Sequence, residues 1–160
     1  MNNQLNIPVG ISDFKKIREN DYYYIDRSGL IKELLKRESA EVTLITRPRR
    51  FGKTMGMSML AHFFDIRSDN RRLFDGLEIT RDEALCSAWM NQYPVVFLTL
   101  KDIDGLTFED AYERLAVQIS NLYKEHAYLL ESERMDSDDR TLFKELKSGS
   151  AGKIQVGQSL

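Results

Sequence analysis

"LITRPRRFGKTMGMSML", residues 44–60, decides how this chain is read. Its middle closes as a phosphate-binding loop does, with Gly52, Lys53 and Thr54 leading into a helical pattern. It opens with Arg47 where the usual spacing G-x-x-x-x-G-K-S/T has glycine. Such a loop works because successive backbone N–H groups turn around an anion at a helix N-terminus, where the dipole also favours negative charge. Gly52 lets the chain pass close to a phosphate, Lys53 reaches the outer phosphates as a point charge, and Thr54 offers a hydroxyl to Mg²⁺. The first glycine of the pattern mainly eases the turn out of the preceding strand. Arg47 therefore strains that turn more than it damages the cradle, and Pro48 pre-orders it through its fixed φ. The bland alternative is a basic surface loop with an incidental Gly-Lys-Thr.

The flanks set the expected architecture. "EVTLIT" ahead of the loop is short, apolar and β-branched, and predicts a buried strand around residues 42–46. A helix is predicted over 53–64, in which Gly56 costs roughly 1 kcal/mol relative to alanine and Met55, Met59 and Phe63 belong to the core. Upstream, "DYYYIDRSGLIKELLKRES" leads from an aromatic stretch into a short helix with Leu30, Ile31, Leu34 and Leu35 on one face. Downstream, Thr80 and Glu83 have the spacing of a capping box for a helix through Trp89. "PVVFLTL", 94–100, predicts a second strand. Phe108, Ala111, Tyr112, Leu115, Ile119, Leu122 and Tyr123 recur at helical spacing and predict a helix from Thr107 to about Glu131. A short helix is predicted over 140–147, and the Gly- and Ser-rich end, "SGSAGKIQVGQSL", carries no predicted closing element. Alternating helices and strands predict a single α/β domain over 1–160 with parallel strands. Only two strands are evident, however, where sheets usually hold about four to six.

Composition bounds the function. With 160 residues, 42% hydrophobic, the chain is long enough for one domain with a real core. Cys86 is the only cysteine, so there is no internal disulfide, and with only His62 and His126 to help there is no zinc constellation. No apolar run approaches the ~20 residues of a membrane helix, and the N-terminus lacks the regions of a signal peptide, so a cytoplasmic location is expected. A net charge of −2 provides no overall field for DNA or RNA. His62 reads as structural, His126 and the acidic run from Glu131 to Asp139 as solvated, and Arg49, Arg50, Arg71 and Arg72 as either phosphate, subunit or nucleic-acid contacts or simply solvated cations.

"VGISDFKKIRENDYYYIDRSGLIKELL", "VTLITRPRRFGKTMGMSMLAHFF", "LFDGLEI" and "YPVVFLTLKDI" together resemble the AAA-ATPase-like family of prokaryotic proteins, whose phosphate loop reads R-P-R-R-F-G-K-T. In that family arginine at the position of Arg47 is the norm. The resemblance implies a P-loop NTPase-like three-layer fold, ATP and Mg²⁺ as cofactors, and Pro48, Arg49, Arg50, Phe51, Gly52, Lys53 and Thr54 as nucleotide-binding candidates, Thr54 serving the metal. It also implies a PD-(D/E)XK nuclease-like domain after the ATPase part. Tyr24 and Asp26 resemble a recurring family motif that shapes the base pocket, although Asp26 reads equally well as a helix cap.

Hydrolysis needs an acidic residue at the end of another apolar strand to hold Mg²⁺. By the resemblance, this Walker B strand falls past Leu160, and the chain is the N-terminal part of such an ATPase. Inside the chain, Asp102 is the candidate metal ligand, with Asp104 beside it, but Lys101 would compete with the ion. The expected sheet would lack neighbours, and its open edges at 42–46 and 95–100 invite self-association. Three functions stay open at this point: an ATP-binding module completed elsewhere, a compact phosphotransferase using Asp102 or Asp104, and a non-catalytic module whose basic loop binds protein or nucleic acid.

Overall fold

A computed structural model describes residues 6–36, 41–101 and 103–159. They form two compact units, Met1–Val95 and Val96–Leu160. Both are helical, and this overturns the expected α/β three-layer fold. Among the described residues there is no strand, only one isolated parallel bridge between Asp65 and Tyr93. Residues 42–46 and 94–100 carry no ladder, and Val42, Leu44, Val96 and Leu100 are exposed. The physical reason is that β-branched apolar residues report suitability for a pleated, half-buried surface, whereas a strand exists only through a partner's hydrogen bonds. Without a sheet, the self-association expected through its open edges loses its basis as well.

In the first unit, α1 (Phe14–Glu19) starts where the Asp13 carboxylate accepts from the Lys16 amide at 2.8 Å. It buries Phe14 and Ile17, three residues apart on one face. α2 is Gly29–Leu35 and α3 is Lys53–Phe64. α1 packs on α3, and the Phe14 amide donates to Ser58 Oγ at 3.0 Å, satisfying a buried donor at the start of α1. Met59 and Phe63, four residues apart on α3, are fully buried against Phe14, Ile31 and Phe74.

Two short 3₁₀ segments, Arg71–Phe74 and Glu78–Arg81, bring in Leu73, Phe74 and Ile79 to complete this core. The Arg18 guanidinium ties α1 to the first of them, donating to the carbonyls of Leu73 and Asp75, each at 2.7 Å. α4 (Glu83–Trp89) is capped by Asp82, which accepts from the Leu85 amide at 3.3 Å. The expected Thr80 cap is corrected thereby, since the Thr80 hydroxyl donates instead to the Leu77 carbonyl within the 3₁₀ turn. Asn91, in the left-handed region at φ 56°, closes the far end of α3: its amide donates to Phe63 O at 2.8 Å and its side chain to Asp65 O at 3.0 Å.

In the second unit, α5 (Phe108–Glu125) carries a full capping box between Thr107 and Asp110. It ends at His126, ahead of the predicted Glu131, and a 3₁₀ turn over Ala127–Glu131 follows. α6 (Ser137–Ser148) begins inside the acidic run, because the Asp136 carboxylate accepts from the amides of Asp138 and Asp139. The C-terminal stretch does contain a closing element. Helix α7 (Lys153–Gln158) buries Val156 with Ile119 and Leu146, and Tyr123 donates to the Ser159 carbonyl at 3.2 Å. His126, expected at a solvated edge, is only 4% exposed and has Nδ1 3.4 Å from the Tyr128 hydroxyl.

Candidate phosphate-binding site

The loop closes on the start of α3 through two left-handed residues. Arg50 has φ 69° and Gly52, the N-cap, has φ 73° and ψ 22°. That conformation costs an L-residue roughly 1–2 kcal/mol. A Cβ added at Gly52 would also lie 3.3 Å from Arg27 Nη1, a tight approach that the guanidinium would have to yield to, so glycine is favoured here chiefly by its backbone conformation. Gly56 donates to Gly52 O at 2.9 Å in the first backbone bond of the helix. The amides of Lys53, Thr54 and Met55 ahead of it are donors that an α-helix leaves without an acceptor of its own. They stand at the positive end of a 12-residue helix.

Lys53 turns back into the loop. Its ammonium donates to the carbonyl of Arg47 and, at 3.1 Å, to that of Pro48. These two oxygens hold the cation over the loop at the start of α3. Arg47 and Pro48 thus enter the site through their backbone. Thr54 is exposed at the second helical position, and Arg49, Arg50 and Phe51 are exposed on the loop.

Cavities flank the loop on two sides, and both belong to the first unit. One, of about 720 Å³, is lined by Arg27, Lys32, Lys36, Arg47 and Lys53, with Glu33 and Glu78. The other, of about 620 Å³, joins the loop residues 49–54 to Ile7, Ile11, Tyr23, Tyr24 and Ile25. Both volumes fall in the range of about 300–1,000 Å³ usual for small-molecule sites. Both cavities carry cations, Arg27 and Lys53 lining each and Arg49 and Arg50 the second, and the second adds aromatic and aliphatic side chains; this donor set at a glycine-capped helix start is compatible in charge with a polyphosphate.

Tyr24 and Asp26 are fixed by contacts that their sequence motif does not reveal. The Tyr24 hydroxyl lies 3.3 Å from Met59 Sδ and its ring meets Phe14 edge-on at 5.4 Å. Partial burial raises its phenol above the ordinary value. Asp26 accepts from the amides of Ser28 at 2.8 Å and Glu78 at 2.7 Å, while Ser28 Oγ accepts from Ile79. Asp26 therefore latches the segment before α2 to the second 3₁₀ turn. Partial burial pushes its carboxyl up, but the bonds from Ser28 and Glu78 outweigh that, and the net value lies below the ordinary 3.8.

A depressed carboxylate contributes stability that is complete above its unfolded value and is lost as pH falls through its native one. Melting of the wild type is accordingly expected to lose stability below about pH 3.8, the window set by Asp26. Asp26→Asn is expected to start less stable and to show a smaller loss in that window. Parallel melting curves from neutral pH downward, followed by circular dichroism, read the difference; identical acid slopes would remove Asp26 from this role.

Arg27 is the site residue that sequence reasoning missed. Its Nη1 donates to the Phe51 carbonyl at 2.9 Å. No periodicity links positions so far apart in the chain; the only hint was an arginine directly after the aromatic stretch. Asp104 pairs with Arg114 at 2.7 Å in the second unit, and Asp102 lies outside the described residues.

A family model described as a predicted AAA-ATPase matches residues 8–156, nearly the whole chain. The chain belongs to the AAA-ATPase-like family. Among curated proteins it is similar to an uncharacterized protein in the vnfD 5′ region of Azotobacter chroococcum mcd 1, 42% identical over 74 residues. That match covers 46% of this chain and 13% of the relative, so the similarity spans a small part of a much longer protein. No solved structure matches. Family membership supports an ATPase-like role, and no helix among the described residues is long and apolar enough to cross a membrane.

Proposed function

We propose that this chain is the ATP-binding portion of a cytoplasmic ATPase and takes ATP·Mg²⁺ at residues 48–54. The observation that carries the reading is the Lys53 ammonium, folded onto the carbonyls of Arg47 and Pro48 at the glycine-capped start of α3. In this reading Lys53 exchanges those carbonyls for the outer phosphates, the amides opening α3 hold the inner ones, and the Thr54 hydroxyl faces the metal. Arg49, Arg50 and Phe51 border the nucleotide, and the Tyr24 side of the loop receives the base. Bound ATP would supply the phosphoanhydride bond to be cleaved.

Cleavage also needs a metal-holding carboxylate. Asp104 is engaged by Arg114, which does not favour the phosphotransferase alternative. In this reading that acid, with any nuclease-like companion domain, comes from parts of the whole protein outside this chain.

The test is calorimetry of ATP with the full chain, with and without Mg²⁺, and phosphate release measured in parallel. Saturable binding strengthened by Mg²⁺, without turnover, is expected. Absence of binding would overturn the assignment, and turnover by this chain would overturn the need for an outside acid.

A further inference from the structure

Arg27 stands where the two cavities beside the loop meet, lining both. Its guanidinium is held by the Phe51 carbonyl and lies next to the open face of Gly52. The peptide joining Phe51 to Gly52 is planar and trans, so its C=O and N–H point to opposite sides. Fixing the carbonyl therefore fixes the Gly52 amide. An anion is attracted by that amide and repelled by the oxygen on the other edge of the same peptide. The Phe51 residue lies between two left-handed residues, Arg50 and Gly52, and its carbonyl accepts from the Arg27 guanidinium.

We propose that Arg27 is a positioning residue of the phosphate loop, which locks the Phe51–Gly52 peptide with its oxygen turned onto the guanidinium and its N–H left for a phosphate. The nucleotide half of this inference rests on the ATP-binding reading above; the peptide-locking half concerns the free protein alone. Arg27 acts through the loop, and Lys53 remains the cation that meets the phosphates. Because Arg27 is exposed and outside the apolar core, its replacement is expected to leave the unit folded.

The experiment compares wild type, Arg27→Ala and Arg27→Lys by amide NMR of the free chain, by melting, and by calorimetry with ATP·Mg²⁺ and with pyrophosphate. In Arg27→Ala the Gly52 amide resonance is expected to move or broaden with melting little changed. Affinity for both ligands should fall about tenfold, the effect of losing one hydrogen bond to a charged group. Arg27→Lys keeps a donor for the Phe51 carbonyl and is expected to restore the Gly52 resonance and most of the affinity.

An unchanged Gly52 resonance in Arg27→Ala would overturn the proposal, and with a loss of affinity it would make Arg27 a direct ligand contact instead. Failure of the lysine variant to restore the resonance would also count against it. If wild type bound neither ligand, the nucleotide reading would fall, while the Gly52 resonance would still decide whether Arg27 locks the loop.

Discussion

Lys53→Ala is expected to weaken ATP·Mg²⁺ binding by about 100-fold or more, because a charge-assisted hydrogen bond contributes about 1.5–3 kcal/mol and the ammonium can make two to the phosphates. The same change costs the free protein little. Lys53 is exposed, and what it loses there is a pair of bonds to the Arg47 and Pro48 carbonyls, which water can replace. Melting should therefore shift by no more than about 3 °C, as for other surface substitutions. Lys53→Arg is not expected to rescue binding, because a planar fork on a longer stem does not fit where a compact point charge turns back into a tight loop. Calorimetry and melting on the same preparations separate the effects. Unimpaired ATP binding by Lys53→Ala would place the nucleotide elsewhere on the protein.

How much of this could be read from the residues depended on the range of the interactions involved. The helix after Gly52 was legible, because an i, i+4 pair of apolar residues, Met59 and Phe63, is a local matter, whereas the left-handed conformation of Gly52 is disclosed only by the folded chain. The start of α5 was legible from the apolar period that begins at Phe108, while the Thr107–Asp110 capping box that fixes it went unread. The sheet was misread because "EVTLIT" and "PVVFLTL" show that their side chains suit a strand but not that a partner lies alongside. Asp82 replaced Thr80 as a cap because the preceding residues closed into a 3₁₀ turn that used the threonine hydroxyl internally. The contacts from Arg27 to Phe51 and from Asp26 to Glu78 join distant parts of the chain and follow no period, so only the folded unit discloses them.

Phe63→Ala is expected to cost about 3–5 kcal/mol, the usual penalty for emptying a fully buried aromatic position. The ring is completely shielded and meets Phe64 and Phe74 edge to face, at centroid distances of 5.0 and 5.3 Å. Alanine forfeits that area and both ring contacts and leaves a cavity between α3 and the Arg71–Phe74 turn. For a unit of this size the midpoint should fall by roughly 12 °C or more. Phe51→Ala is the matched control, since its ring is 54% exposed and its loss removes little packing. The comparison also bears on the site, because α3 presents the loop at one end and is anchored through Met59 and Phe63 further along. A ligand that binds only the folded unit adds about 2.7 kcal/mol at a concentration 100 times its Kd, so ATP·Mg²⁺ should recover part of the midpoint lost in Phe63→Ala. At the same concentration it should recover no more than about 0.4 kcal/mol in a Phe63→Ala, Lys53→Ala double variant. Equal midpoints for Phe63→Ala and Phe51→Ala would mean that the α3 anchor lies elsewhere, and undiminished recovery by ATP in the double variant would detach ligand binding from Lys53.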